Sequence, residues 1–354
     1  MKEIRLLFFH PKPEFYSAFL GLNSLENEYK FIFTQDNPDY LIASEHIYYN
    51  KKMLNNFLSF IDDSKILIFA PGECIAPDMN IFDYAITFDD NLIYDDRTIR
   101  CLYPFSFEDV QDCSFDKKFD DMIISKPSTE LESKKHFCNF IYSHSNAHPM
   151  RDTIFHQLNK YQSVDSLGSH LNNKKNVITR NEPDWMKLSV EMKRNYKFSI
   201  AAENACYKGY FTEKIITSFL ARTIPIYWGC PNIAQYFNPE AFINCHNYNT
   251  IDEVIDVVKQ INENDELWCK IISEPRRTKN QIMEHKLQLG KYRNFLYNIF
   301  SQDKISAKRV GIGKHPRKYY KILSEALNLY LTIRIIDLRR ISSFLKKLLK
   351  YIKV

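Results

Sequence analysis

Residues 196–228 pass through an apolar run, a polar loop, an amphipathic segment and a second apolar run, and few folds accommodate that order. Tyr-Lys-Phe-Ser-Ile-Ala at 196–201 and Ile-Pro-Ile-Tyr-Trp at 224–228 are rich in aromatic and β-branched residues, as buried strands are. Between them Thr212 stands at an N-cap position, Glu213 falls in the first turn, and Ile215, Ile216, Phe219 and Leu220 share one side. That pattern predicts a helix over 213–221. Strand, helix and strand within about 33 residues make a βαβ unit, which requires a parallel sheet.

The first third has the same rhythm. Runs 4–9, 29–33, 40–44, 65–70 and 84–88 are short, apolar and bounded by polar, Pro or Asp residues, with a helical stretch over 53–60. Such alternation indicates a mostly parallel α/β sheet. From about 109 to 135 the composition turns to Asp, Lys, Ser and Glu, and Lys126-Pro127-Ser128 breaks the pattern. A second α/β region follows, with a strand expected over 136–143 and helices over 151–161, 251–262 and 267–272. The expected organisation is a domain over 1–127, a domain over 128–317 and a tail over 318–354.

Charge separates the tail from the rest. The net charge is +5, and the excess lies beyond Lys318 rather than over a folded face, which argues against nucleic acid as a partner. On a helical wheel Leu338, Ile341, Leu345, Leu348, Leu349 and Ile352 share one face, and Arg339, Arg340, Lys346, Lys347 and Lys350 the other. A basic amphipathic helix suits an anionic membrane surface. The same apolar stripe would equally serve packing on the body of the protein or on a second copy in a homodimer. The N-terminal apolar run is only four residues long and no stretch reaches the roughly 20 apolar residues of a membrane span, so the expected location is cytoplasmic, peripheral at the inner membrane surface.

Several chemistries find no support. The eight Cys include no C-x-x-C pair, and His144 and His148 lack the intervening glutamate of a zinc-protease helix and run into Pro149. Neither G-x-G-x-x-G nor a phosphate-loop motif is present. There is no Asp-x-Asp, the usual bridge from a divalent cation to a nucleotide-sugar diphosphate, although four Asp-Asp pairs occur.

The densest polar cluster is Glu203-Asn204 followed by Tyr210-Phe211-Thr212-Glu213-Lys214, between the predicted strand and the helix start. A helix N-terminus offers unpaired N–H groups to phosphate, and Lys214 adds a full positive charge. Glu213 cannot serve phosphate but can accept from ribose hydroxyls. By itself the tripeptide Thr212-Glu213-Lys214 is also an ordinary helix cap. Glu73, after Ala70-Pro71-Gly72, leaves the carboxyl end of the run 65–70, where open α/β sheets place their crevice. On position alone it is either a general base or a surface carboxylate.

The blocks Tyr-Lys-Phe-Ser-Ile-Ala-Ala-Glu-Asn, Tyr-Phe-Thr-Glu-Lys-Ile-Ile and Thr-Ile-Pro-Ile-Tyr-Trp-Gly-Cys-Pro within 196–231 resemble the signature of the α-1,3/1,4-fucosyltransferase family of bacterial Lewis-antigen type, glycosyltransferase family 10. Tyr142-Ser143-His144-Ser145-Asn146 with Arg151 is similar to the segment that opens that family's donor domain. Gly72-Glu73 with Phe82-Asp83-Tyr84-Ala85 is similar to a block of its bacterial members, with Cys74 here in place of Asn. The resemblance spans roughly residues 66–250.

It implies an α/β fold of two Rossmann-like domains facing across a cleft, GT-B type, with the tail as the C-terminal basic amphipathic addition. It further implies inverting transfer of L-fucose from GDP-fucose to an N-acetylglucosamine-containing glycan, such as a Lewis-type surface polysaccharide, with no cofactor and no metal. Glu73 would be the base. Arg151 and Lys214 would neutralise the diphosphate, Tyr210 and Glu213 would meet the ribose, and Glu203 and Asn204 the sugar or diphosphate side. Another GDP-deoxyhexose as donor, or a non-catalytic glycan- or membrane-binding relative, remains an alternative.

Overall fold

Parallel strands account for the apolar runs. The computed structural model describes residues 1–13, 20–100, 119–120, 124–175 and 185–351, the side chains of 317 and 334–351 excepted. The strands are β1 (Lys2–Phe9), β2 (Tyr29–Phe33), β3 (Tyr40–Ala43), β4 (Ile66–Phe69), β5 (Tyr84–Thr87), β6 (Thr98–Arg100), β7 (His136–Phe140), β8 (Val164–Ser166), β9 (Tyr196–Ala202), β10 (Ile224–Trp228) and β11 (Ile243–Asn244). The helices are α1 (Lys51–Phe60), α2 (Pro127–Glu132), α3 (Met150–Tyr161), α4 (Trp185–Lys193), α5 (Glu213–Leu220), α6 (Ile251–Glu263), α7 (Asp265–Ser273), α8 (Lys279–Ser301), α9 (Lys304–Ala307) and α10 (Lys314–Tyr351).

The chain forms two units, one of residues 1–87, 92–101 and 291–354, the other of residues 88–91 and 102–290. This differs from the expected division. Residues 291–317, expected in the second domain, and 318–354, expected as a separate tail, cluster with the first unit. The reason lies in packing that charge patterning does not show. Tyr320 and Leu323 of α10 pack on the first unit's core, Leu331 is buried, and Lys51 Nζ donates to Thr332 Oγ1 at 2.8 Å. The side chains of 338–350, on which the basic amphipathic face was read, lie outside the described side chains, and Ile352 lies outside the described residues.

In the first unit the sheet order is β2-β1-β3-β4-β5-β6, with parallel pairing throughout. Every residue of β3, β4 and β5 is buried, which is why these strands read as unbroken apolar runs. β2 lies on one side of β1 and β3 on the other. The order therefore reverses between β1 and β3, and such a switch point opens a crevice beyond the carboxyl ends of the strands. Helix α1 starts two residues before the expected 53, because Asn50 caps it by accepting from Met53 N–H at 3.1 Å.

One carboxylate ties the late chain to this sheet. Asp83, fully buried, accepts from Leu67 N–H, Arg309 N–H and Val310 N–H, each at 2.8 Å, and from Lys308 Nζ at 3.1 Å. It joins β4, β5 and the residues after α9.

The second unit's sheet runs β11-β10-β9-β7-β8, again parallel. Its order reverses between β7 and β9, so a second switch point lies past Phe140 and Ala202. Strand β7 ends three residues before the expected 143. Trp268 of α7 fills the core and donates from Nε1 to Lys197 O at 3.3 Å. Thr250 and Asn264 cap α6 and α7 by accepting from Glu253 N–H and Leu267 N–H.

Replacing Asp83 by Ala would strand the Lys308 ammonium and three backbone N–H groups in the interior, at a cost of about 3–5 kcal/mol. Urea unfolding should show that loss. A change below about 1 kcal/mol would mean that the tie contributes no more than a surface pair.

Candidate functional site

Each switch point carries part of the expected site. In the first unit Glu73 follows β4 on the turn Pro71-Gly72-Glu73, half-exposed, with its carbonyl accepting from Ile75 N–H at 2.7 Å. The residues that follow β3 come close to it. Glu45 is buried, and its Oε2 accepts from Gly72 N–H at 2.8 Å. Burial pushes the Glu45 carboxyl above its ordinary range, and the charge of Glu73 adds to the push. His46 Nδ1 lies 3.3 Å from Glu45 Oε1 and 3.1 Å from Ser44 Oγ. The His10 ring meets that of His46 edge-on at 4.8 Å, and burial lowers its pKa to about 4. Ser44, Glu45, His46 and His10 carry no motif, so sequence reasoning passed over them. Their signal was position, immediately after the two apolar runs that flank the switch point.

In the second unit Glu203 prolongs β9 by one residue, its N–H donating to Trp228 O at 2.8 Å. Its carboxylate is fully buried. Oε1 accepts from Thr212 N–H at 2.8 Å, while Oε2 accepts from Thr212 Oγ1 at 2.8 Å and Lys214 Nζ at 2.9 Å. Lys214 Nζ also donates to Thr212 Oγ1 at 2.8 Å and lies 3.8 Å from Glu213 Oε1. Burial raises the Glu203 carboxyl, and Lys214 pulls against that rise. The sequence reading puts Glu203 on the sugar or diphosphate side, and in the structure its side-chain partners are Thr212 and Lys214. With no exposed surface and both oxygens holding Thr212 and Lys214, Glu203 positions the residues at the helix start.

Thr212 also departs from expectation. It is the N-cap residue of α5, but its side chain makes no capping bond, because the hydroxyl turns to Glu203. The first N–H groups of α5 are thus left without a Thr212 side-chain cap, as an anion site at a helix start requires. Gly229 makes the arrangement sterically possible. Its φ is +152°, and a Cβ there would lie 2.5 Å from Glu203 Cγ.

Arg151 and Asn204 come together at the β7/β9 switch point. Arg151 is buried in the first turn of α3, with its guanidinium 4.6 Å from the Tyr142 ring centroid. It donates from Nη2 to His144 O, and its Nη1 lies 3.4 Å from Asn204 Oδ1. Its Nε makes no hydrogen bond among the described residues and lies 3.6 Å from Asp152 Oδ1. A buried guanidinium with a donor not engaged in a hydrogen bond can take an anionic ligand. The His148 ring meets Trp228 at 4.5 Å with a 30° tilt. Trp228 in turn stacks on His246, whose Nε2 accepts from Gly229 N–H at 3.2 Å.

Tyr210 is buried, its ring meeting Phe88 at 5.2 Å. Phe88-Asp89-Asp90 forms a strap over its loop. Asp89 accepts from Tyr207 OH at 2.9 Å, and Asp90 accepts from Asn232 Nδ2 at 2.7 Å and from Tyr236 OH. Asn232 Oδ1 then accepts from Gly209 N–H at 3.0 Å. Gly209 has φ +81°, and a Cβ there would lie 2.2 Å from Phe88 O. One of the Asp-Asp pairs thus shapes the loop that carries Tyr210.

Behind α5, Lys193 of α4 is buried, its Nζ donating to Thr217 Oγ1 at 2.7 Å. Burial drags its pKa down to about 7, against the raising influence of Glu213.

Comparison with known proteins agrees with this architecture. The family model for the C-terminal part of glycosyltransferase family 10 (fucosyltransferase) matches residues 131–288. The model for the N-terminal domain of alpha-(1,3)-fucosyltransferase FucT matches residues 14–107. The chain is 33% identical over 231 residues to the alpha-(1,3)-fucosyltransferase FucT of Helicobacter pylori, an alignment covering 58% of this chain and 46% of that one. It is 25% identical over 145 residues to 4-galactosyl-N-acetylglucosaminide 3-alpha-L-fucosyltransferase 9 of Homo sapiens, covering 39% and 37%. It thus spans less than half the length of either relative.

A crystal structure of an α1,3-fucosyltransferase superposes with a TM-score of 0.67 at 24% identity, covering 88% of this chain and 93% of that one. One of an α1,3-fucosyltransferase with GDP-fucose gives 0.61 at 22%, covering 84% and 91%. These likenesses show the fold. Two parallel α/β units, each matched by a model of one enzyme family, place the chain among the glycosyltransferases. Within that class it belongs to the family 10 fucosyltransferases.

The buried lysine gives a pH test. An unfolded lysine keeps its proton to about pH 10, whereas folded Lys193 releases it near pH 7. The unfolded state therefore binds more protons between those values, and stability rises with pH across that window. Relative to Lys193→Met, the native protein should gain about 2 kcal/mol between pH 7 and pH 9. Urea unfolding at both pH values checks this, and parallel behaviour of the two proteins would refute it.

Proposed function

We propose that the protein transfers L-fucose from GDP-fucose to a glycan hydroxyl, inverting the anomeric centre in one displacement without a metal. The observation that carries this reading is the start of α5. A fixed Lys214, helix N–H groups without a side-chain cap from Thr212, and a buried Arg151 whose Nε makes no hydrogen bond and has only Asp152 at 3.6 Å beside it occur in one unit. Together they form a set suited to a diphosphate.

In this reading the units act as the two halves of a GT-B enzyme. Glu73 of the first takes the proton of the acceptor hydroxyl as that oxygen attacks C1 of the sugar. The bond from C1 to the diphosphate breaks, and the negative charge gathering on GDP is met by Lys214, Arg151 and the α5 N-terminus. Positive groups fixed before the reaction need no reorganisation as that charge develops, which suits a leaving group without a cation. Glu213 and Tyr210 would serve the ribose side and Asn204 the sugar or diphosphate side. Glu203 acts through Thr212 and Lys214. The acceptor is proposed to contain N-acetylglucosamine, as the name of the human relative states for that enzyme, linked through the 3- or 4-hydroxyl in a Lewis-type surface glycan.

A panel of GDP-sugars offered with a disaccharide acceptor array tests this. GDP-fucose should be preferred, transfer should persist in excess chelator, and NMR of the product should show inversion. Glu73→Gln should lower kcat by about 10²- to 10⁴-fold with little change in donor KM. Full activity of that variant would remove Glu73 as base, and preference for another sugar would overturn the donor assignment.

The pattern of residues 331–352 supports a cytoplasmic enzyme resting on the inner membrane surface. Ile322, Leu329, Tyr330 and Ile333 of α10 are exposed, an apolar stripe that anionic lipid would cover. The protein should co-sediment with anionic but not zwitterionic vesicles, and a chain ended after residue 333 should lose most of that binding. Equal binding to both vesicle types would contradict an electrostatic contact.

A further inference from the structure

The crevice end of the first sheet holds a carboxylate for which the proposed transfer has no direct use. Glu45 follows β3 at the β1/β3 switch point, buried to 2% exposure. Burying a carboxylate is costly unless its oxygens are satisfied, and this one reaches across to the turn after β4 as well as to its own backbone N–H. Oε2 accepts from Gly72 N–H at 2.8 Å, one residue before Glu73. Oε1 faces His46 Nδ1 at 3.3 Å. The Ser44 hydroxyl donates to Phe9 O at 3.1 Å, so its oxygen can accept from the same Nδ1, which assigns the proton to Nδ1. Ser44 thereby joins the end of β3 to the end of β1, and Glu45 joins it to the turn after β4.

The turn has reason to need that bond. Glycine has the freest backbone of any residue, and Gly72 offers no side chain that could anchor the segment. A general base must be held within hydrogen-bond reach of one hydroxyl, and a displacement of about 1 Å can cost about 10²-fold in rate. Glu45 grips the Pro71–Gly72 peptide, one before the peptide that carries the proposed base.

We propose that Glu45 is a positioning residue for Glu73. By holding the Gly72 N–H it fixes the peptide from which Glu73 leaves the end of β4, and so the direction of the proposed base. This inference rests on the reading of Glu73 as the base.

Two substitutions separate reach from charge. Glu45→Gln keeps the length and an oxygen acceptor for Gly72 N–H but loses the charge. Glu45→Asp keeps the charge but is one methylene too short to hold the same bond. Both proteins are to be assayed for kcat and donor KM, with thermal melts to show that they are folded. Glu45→Gln should stay within about threefold of the native kcat, whereas Glu45→Asp should lose at least about tenfold with donor KM unchanged. Full kcat in Glu45→Asp would overturn the proposal. So would a loss in Glu45→Gln as large as that in Glu45→Asp, which would show that an acceptor at the right reach is not what matters, or a loss that appears in donor KM. Glu73→Gln measured in parallel keeps the two claims apart. If it is active, the base assignment fails whatever Glu45 does. If it is inactive while Glu45→Asp is unimpaired, only the positioning role fails.

Discussion

The second unit depends on one buried carboxylate. Glu203 sits where β9 runs out of sheet, and its two oxygens fix Thr212, through both N–H and hydroxyl, and Lys214. Those bonds decide where α5 begins and which way its first cation lies. Gly229 leaves the room, and the Glu203 N–H bond to Trp228 O keeps the segment in register with β10. Removing either partner of a buried ion pair leaves a charge without compensation and typically costs about 3–5 kcal/mol. In the first unit Asp83 holds β4, β5 and the 308–310 segment in the same manner. In both cases a carboxylate collects several donors from separate parts of the chain, which an apolar side chain of equal size cannot do.

The two sheets place their chemistry by the same rule. Each reverses its strand order beside its first strand, between β1 and β3 and between β7 and β9. The residues that leave those strands at the carboxyl end are His10, Ser44, Glu45 and His46 in one unit, and His144, Glu203 and Asn204 in the other. The carboxyl-terminal parts of these strands are buried, so short loops at their ends inherit fixed positions. Parallel α/β sheets put binding residues at such points for this reason.

Much of this was legible in the sequence because it is local. The period change from strand to helix over 196–228 and the residue type at Thr212 depend on neighbours in the chain, and β9, α5 and β10 appear where those signals put them, whereas the breaker cluster near 127 does not mark the division between the units, which falls at 101–102. What the sequence hid is what depends on distant partners. Thr212 has the right residue type for a cap, yet its hydroxyl serves Glu203. Glu203 reads as a polar residue after a strand, and only burial shows that it faces inward. In the sequence Asp89-Asp90 is one of four Asp-Asp pairs with nothing to distinguish it, whereas its structural role, gripping Tyr207, Asn232 and Tyr236, joins positions more than 100 residues apart. The return of residues 291–333 to the first unit was hidden for the same reason, since helical periodicity does not say which surface a stripe covers.

The choice of ionic rather than apolar packing at the start of α5 has a physical rationale. Replacing a buried ion pair with well-fitted apolar residues is often neutral or stabilising, so Glu203 and Lys214 are weakly explained by stability. Lys193, buried on hydroxyl partners with its pKa near 7, is a further cost at the same helix. A site that must receive a polyanion needs positive charge already desolvated and already aimed, because reorganising a flexible surface lysine would consume much of the gain. Burying Lys214 makes its direction definite, and Glu203 is the counter-charge that makes burying it tolerable. On the proposed reading of Lys214 as a diphosphate ligand, the carboxylate and the glycine that admits it are the frame of that site rather than contributions to the core.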